Sequence, residues 1–422
     1  MNTLYGGDTV SLRECLKIAL ENNYSLQIIK NENEIASNNY TRGNAGLLPV
    51  IDASARYSGS VGNNSITDQS DNTTKTGGQL VNSGSTGINA SWDIFSGHKA
   101  QTRYAQLLEL KEIGDLNTRF EIENLIANVT AEYFYLIQQG RHRDNLEFIL
   151  SISKERVRIA TINHRLGSHS KLEPLQAQVD FNSDSSALVR QQQQILASEI
   201  RLKTLMGDLK HARIVPDSSV NLLAELIYSA LLEKTLSENT RLQIAAKQIN
   251  LSESDLKIIR ANSYPYLRLS SGYNFNFSFY NKGNTKKSNN AGLDYGLTFG
   301  VPIFDGGNKR REIKNAQIAL KNKELARMEA QLDVEAKLQE IYSSYSNYLI
   351  LIAMERQNLK TAHENFEAAV KRYRLGELAG IDMREAQNSL QDAEKRLLDV
   401  EYSAKIDEIS LMMLSGSIME YL

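Results

Sequence analysis

The stretch Leu267-Arg-Leu-Ser-Ser-Gly-Tyr-Asn-Phe-Asn-Phe-Ser-Phe279 alternates without a break. Successive side chains of an extended strand point to opposite faces. Leu267, Leu269, Ser271, Tyr273, Phe275, Phe277 and Phe279 therefore share one face, and Arg268, Ser270, Gly272, Asn274, Asn276 and Ser278 the other. Beyond a polar stretch at 281–290, Leu293, Tyr295, Leu297, Phe299 and Val301 alternate with Asp294, Gly296, Thr298 and Gly300. The same period appears more weakly upstream, in Ile51, Ala53, Ala55 and Tyr57 and in Ile88, Ala90, Trp92 and Ile94. Strands of about ten residues, apolar on one side, polar on the other and aromatic toward the ends, match a transmembrane β-barrel. The predicted membrane hairpins span about 50–96 and 265–304, separated internally by polar loops at 63–85 and 281–290. Trp92, Tyr273, Phe275, Phe277, Tyr295 and Phe299 are the predicted lipid-facing residues.

Four strands cannot close a barrel, since about eight are needed to enclose even a packed interior. Open sheet edges are not tolerated in lipid. The strand count therefore predicts that further copies of the chain complete the barrel.

The rest of the chain reads as helix, and it reads twice. Phe95-Ser-Gly97, Arg165-Leu-Gly167, Ala177-Gln178 and Leu205-Met-Gly207 recur 209 residues later as Phe304-Asp-Gly306, Arg374-Leu-Gly376, Ala386-Gln387 and Leu414-Ser-Gly416. Upstream, Leu26-Gln-Ile28 and Pro49 recur at an offset of 216, as Leu242-Gln-Ile244 and Pro265. Each half is predicted as helix, β-hairpin, long helix, turn, helix. The expected helices lie near 10–47, 97–165 and 170–207, then 226–263, 306–375 and 381–414. The predicted organisation is a first repeat at 1–207, a linker at 208–228 and a second repeat at 229–422. Heptad-like spacing supports antiparallel coiled-coil packing: Leu359, Ala362, Phe366, Ala369 and Tyr373 before the turn, and Met383, Ala386, Leu390, Ala393 and Leu397 after it. Five prolines in 422 residues suit long helices.

A net charge of -2 without a Lys/Arg run argues against a nucleic-acid binder. The single cysteine, Cys15, permits no disulfide within the chain and reads as a small buried hydrophobe. The six histidines (His98, His142, His164, His169, His211 and His363) have no metal-ligand spacing. No phosphate loop or nucleophile elbow is present, so no catalytic residue, metal or cofactor is expected. A soluble coiled-coil scaffold or adaptor is the competing reading of the helices.

Taken in order, Leu48-Pro49, Phe304-Asp-Gly-Gly307 and Arg372-Tyr-Arg-Leu-Gly376 within this doubled pattern resemble the TolC-like outer-membrane efflux family. The resemblance implies a mainly α protein with a membrane β-barrel part: a long antiparallel coiled-coil α-barrel plus four strands per chain, closing as a twelve-stranded barrel in a homotrimer. It implies a passive outer-membrane duct reaching into the periplasm. The expected partners are a periplasmic adaptor and an inner-membrane RND, ABC or MFS transporter. The N-terminus shows no charged-then-apolar secretory signal, so an earlier signal is expected to have been removed. Arg165, Gly167, Glu173, Arg374 and Gly376 fall at the tips where the adaptor docks. The family's acidic constriction, six and nine positions after the second glycine, falls on Asp382 and Glu385. Both pairs, Asp382-x-x-Glu385 and Ser170-x-x-Glu173, also have the form of a capping box.

Overall fold

The computed structural model describes residues 9–71, 73–167, 170–210, 214–216, 222–223, 226–283 and 285–422. His169 and His211 lie outside these residues. The elements run β1 (Thr9–Val10), α1 (Leu12–Asn22), α2 (Tyr24–Asn39), β2 (Val50–Thr67), β3 (Thr73–Ser96), α3 (Lys99–Arg165) and α4 (Leu172–Leu205). They continue with β4 (Val215–Pro216), α5 (Tyr228–Glu238), α6 (Thr240–Ala261), β5 (Tyr266–Tyr280), β6 (Lys287–Gly300), α7 (Asn308–Arg374), α8 (Gly380–Leu414) and a closing 3-10 turn at Ile418–Tyr421. Two compact units result. One comprises the chain up to Glu32 with Asp115–Ile244 and Arg327–Leu422, and the other Asn33–Gly114 with Ala245–Ala326.

The second unit holds an antiparallel sheet in the order β2-β3-β5-β6. Its register explains the alternation. Trp92 pairs with Leu269 and Leu269 with Leu297, Ile88 with Tyr273 and Tyr273 with Leu293, and Phe299 with Leu267. Directly paired residues point the same way, so all four apolar sets land on one face. Phe277 is half-buried there because its ring covers Gly84, where a Cβ would come within 2.1 Å of it. The opposite face carries polar pairs such as Asn274 with Asp294 (3.3 Å) and Ser83 with Ser278 (2.9 Å).

Two expectations need correction here. Most of the predicted loop at 63–85 is strand: Asn64–Thr67 pair with Thr73–Thr76, and Asp71 N donates to the Asp68 carbonyl (3.1 Å) just beyond β2. Likewise β6 already begins at Lys287, inside the predicted 281–290 loop. Ladder hydrogen bonds need no side chain, so a Ser/Thr/Asn/Gly-rich segment extends the hairpin where neither face has to pack. Ile94, placed on the apolar face by simple alternation, sits instead at an irregularity between Asp93 and Phe95. Past it, Phe95 takes over the apolar side by pairing with Leu267.

The first unit is helical. The predicted single helices at 10–47 and 226–263 are each broken, at Asn23 (ψ 123°) and Asn239 (ψ 117°), and end at Asn39 and Ala261. The two asparagines obey the 216-residue offset and do the same work. Each caps the following helix, Asn23 Oδ1 accepting from Leu26 N (3.0 Å) and Asn239 Oδ1 from Leu242 N (3.2 Å). Each also donates from Nδ2 to the last carbonyl of a distant helix, Leu205 at 2.9 Å and Leu414 at 3.0 Å. The end of α4 is thereby joined to the start of α2, and the end of α8 to the start of α6. The close approach requires Gly207, whose φ is +70° and whose Cβ would stand 2.5 Å from the Asn22 carbonyl oxygen. Gly207→Ala should therefore cost ~1–3 kcal/mol or more from backbone strain alone, and Asn23→Ala ~1–2 kcal/mol from the lost cap. Thermal midpoints in detergent should fall in that order.

The core gathers at this junction: Cys15, Leu16 and Ala19 of α1, Leu26 of α2, Ile126 and Tyr133 of α3, Leu202 and Met206, and Ile409 and Ile418. Cys15 is fully buried, and burial above all, then Glu14, pushes its thiol up to about 12. The Tyr133 hydroxyl donates to the Val10 carbonyl (3.1 Å), anchoring β1, which pairs in parallel with β4. Within the linker, Leu223 N donates to Glu408 (2.8 Å). On α8 the half-buried Glu394 has an oxygen, Oε2, with no hydrogen-bond partner among the described residues, and burial raises the group despite His363 nearby. A carboxyl whose folded-state affinity for protons is raised contributes stability at low pH that is lost as pH rises through its folded pKa. Glu394→Gln should raise the thermal midpoint at pH 8 and leave it nearly unchanged at pH 4.

Candidate functional site at the helical tips

The α3–α4 and α7–α8 hairpins end in matching turns. Gly167 (φ +78°) and Gly376 (φ +77°) take the left-handed conformation that ends a helix and that glycine adopts without a Cβ penalty. At the second turn, Gly376 N donates to Tyr373 O (3.1 Å) and Glu377 N to Arg372 O (2.9 Å), satisfying the last carbonyls of α7. Arg165 and Arg374 close their helices and are exposed, as are the leucines that follow, Leu166 and Leu375. Glu173, in the first turn of α4, turns inward. Its Oε1 lies 3.3 Å from where a Cβ on Gly380 would sit, and its charge helps raise Tyr373, which is raised chiefly by burial.

Asp382 and Glu385 lie on the exposed face of α8, opposite the buried Met383, Ala386 and Leu390. Neither makes an ion pair or side-chain hydrogen bond with another of the described residues. The capping-box reading fails for this pair because α8 already begins at Gly380, with Ala379 as the N-cap. Asp382 is therefore inside the helix, where an acid in the first turn suits the dipole. In the first half, Ser170 Oγ accepts from Leu172 N (3.2 Å), one residue earlier than a capping box requires.

Beneath the tips lies a polar cluster that reading the sequence missed. Asp184 of α4 accepts a bidentate pair of bonds from Arg384 of α8 (2.8 and 2.9 Å), and also bonds Ser153 of α3 and Gln387 of α8. Arg156 of α3, almost fully buried, donates to Asp180 of α4 (3.1 Å) and to the Gly380 carbonyl (3.1 Å). Burial lowers the proton affinity of the Arg384 guanidinium, but the bonds and charge of Asp184 outweigh it and leave it raised. The cluster fastens the first hairpin to the second. A signal for it exists in the repeat: Ser153 and Asp184 occupy the positions at which the second half has Ala362 and Ala393. Polar residues at core positions of one repeat only, beside alanine in the other, mark a specific network.

The sequence profile of the outer membrane efflux protein family matches residues 15–208 and 231–417. Outer membrane protein TolC of Vibrio cholerae is 23% identical over 438 residues, covering 97% of this chain and 91% of the relative. The cation efflux system protein CusC of Escherichia coli O157:H7 is 23% identical, covering 94% and 84%. Among solved structures, a membrane protein from Pseudomonas aeruginosa superposes with a TM-score of 0.81 at 17% identity, covering 96% of this chain and 90% of the other. The Campylobacter jejuni CmeC outer membrane channel superposes with a TM-score of 0.80 at 18% identity, covering 96% and 85%. These superpositions show the same fold, including the sheet and the long helices. With the profile covering both halves, the chain belongs to the outer membrane efflux protein family.

Proposed function

We propose that this outer-membrane efflux protein works as a homotrimeric passive exit duct. In this reading its tips receive a periplasmic adaptor, and export is energised by an inner-membrane transporter of the RND, ABC or MFS class. The observation that carries the trimer is that one protomer ends in open edges of both kinds. Strands β2 and β6 are both sheet edges. On α4 an exposed heptad stripe runs through Leu172, Leu175, Val179, Val189, Leu196 and Ile200, and on α7 another runs through Ile318, Leu325, Met328 and Leu332. Unlike edges that join head to tail form a ring when the rotation closes, and three four-stranded sheets supply twelve strands. A soluble coiled-coil scaffold would leave the apolar face of the sheet in water, with Tyr295 84% and Phe299 68% exposed.

Light scattering in mild detergent should give a trimer. Leu196→Asp or Leu325→Asp should shift it to monomer, because an unpaired charge in a packed seam costs several kcal/mol. A monomeric wild-type protein overturns the reading. Exposed Leu166 and Leu375 beside Arg165 and Arg374 supply the apolar and charged surface that an adaptor hairpin needs. The hairpin ends within 63–85 and 281–290 are read as facing the cell exterior. Protease should therefore reach them on intact cells, and cleavage only after permeabilisation refutes that orientation.

A further inference from the structure

The unit that holds the sheet contains a cleft of about 680 Å³ with an uneven charge. Its floor is Asp93, Ser96, Tyr266 and Arg268, all from the polar face of the sheet. Its walls are the first two turns of α3, the end of α6, and Pro302 with Lys309 where β6 runs into α7.

The charges do not cancel. Arg268 and Asp93 neutralise each other through contacts of 2.5 and 3.3 Å. Asp255 is occupied by the Gln106 amide (2.6 Å). Three cations remain, and the charged group of none has a carboxylate partner among the described residues. Arg103 donates to the Gln106 carbonyl oxygen (2.5 Å) and Lys99 to Asn262 (3.3 Å). The Lys309 ammonium has no side-chain partner among the described residues. Counting Asp255, the cleft carries an excess of two positive charges per protomer.

The placement of Lys99 works against its helix. Lys99 sits at the positive end of the α3 dipole, in a first turn without an acid, whereas the start of α7, which carries Lys309, is capped by the Asp305 carboxylate through Gly307 N (3.1 Å) and Lys309 N (2.8 Å). Cations are disfavoured at that end and anions favoured. An arrangement that raises the potential without stabilising the fold suits an incoming anion. Apolar surface from Tyr264, Tyr266, Ile258 and Pro302 adjoins the cations.

We propose that this cleft is a binding station for organic anions with an apolar body, such as aromatic carboxylates, which it holds by Lys99, Arg103 and Lys309 and by its two tyrosine rings. As a station along an export route, it rests on the duct reading above. No covalent step is involved.

The test is calorimetric titration of the full-length protein in non-ionic detergent with 2-naphthoate, and with naphthylmethylammonium as a cation of the same shape. The expected result is saturable naphthoate binding that weakens with salt, and no binding of the cation. The triple variant Lys99→Gln, Arg103→Gln, Lys309→Gln should weaken naphthoate binding about tenfold or more. Lys309→Gln alone removes no contact of the fold and should weaken it about threefold, which keeps the test valid if the triple variant misfolds. Equal binding of both probes, or binding unaffected by Lys309→Gln, overturns the proposal. Bilayer conductance measured in parallel separates the two readings: naphthoate binding without any channel current sinks the duct and leaves the cleft, and current without naphthoate binding does the reverse.

Discussion

Replacing Asp382 and Glu385 together by Ala should abolish the cation preference of the reconstituted channel while leaving the trimer intact. Both side chains are exposed and unpaired on one face of α8, so a threefold axis would gather six carboxylates around one passage. A monovalent cation ~4 Å from one carboxylate gains about 1 kcal/mol even in water. Several such charges raise the local cation concentration well beyond that of the bulk. The cation-to-anion permeability ratio should fall at least ~tenfold, and block by multivalent cations should weaken with it. The difference should shrink in 1 M salt, where the screening length is about 3 Å. Stability should change little, since neither residue caps α8. A double variant with wild-type selectivity and block would show that the constriction lies elsewhere.

Asp184→Ala is expected to loosen the tip. The substitution strands Arg384 and removes the shared acceptor of Ser153 and Gln387. Breaking a buried ion pair by deleting one partner costs about 3–5 kcal/mol, and here the loss falls where α4 meets α8. Basal bilayer conductance should rise, and cells should become sensitive to large antibiotics that the outer membrane normally excludes. Arg384→Lys, which keeps the charge and gives up the bidentate geometry, should lie between wild type and Asp184→Ala. A charge swap of the two residues should recover part of the closure. A fall in thermal stability with unchanged conductance would make the cluster a packing feature with no part in gating.

The architecture was legible where a single period governs many residues. Alternation over 267–279 forces one apolar face whatever the register of its neighbours, and the scarcity of proline leaves α3 and α7 uninterrupted at 67 residues each. What escaped depends on contacts between distant segments. Asn23 and Asn239 end a helix only because the carbonyls of Leu205 and Leu414 arrive to meet them; locally, the helical pattern continues on both sides. The segment 73–85 looks like loop by composition and is strand because a partner strand runs beside it. At the tip, the glycines and the exposed acids could be located from the repeat. The repeat marks Asp184 as a polar residue where the second half has Ala393, but nothing in it names Arg384, 200 residues away, as the partner.

The open edges at β2 and β6 have a genetic consequence. A lone protomer would present two unpaired rows of backbone donors and acceptors to lipid, so association and membrane entry must be coupled. A variant that folds and joins its neighbours but spoils its own contribution then poisons every ring it enters. In the proposed trimer, with equal amounts of wild-type and variant chains mixing at random, only about one ring in eight would be wholly wild type. Such alleles should be dominant over a wild-type copy, whereas alleles that prevent association, such as Leu196→Asp, should be recessive.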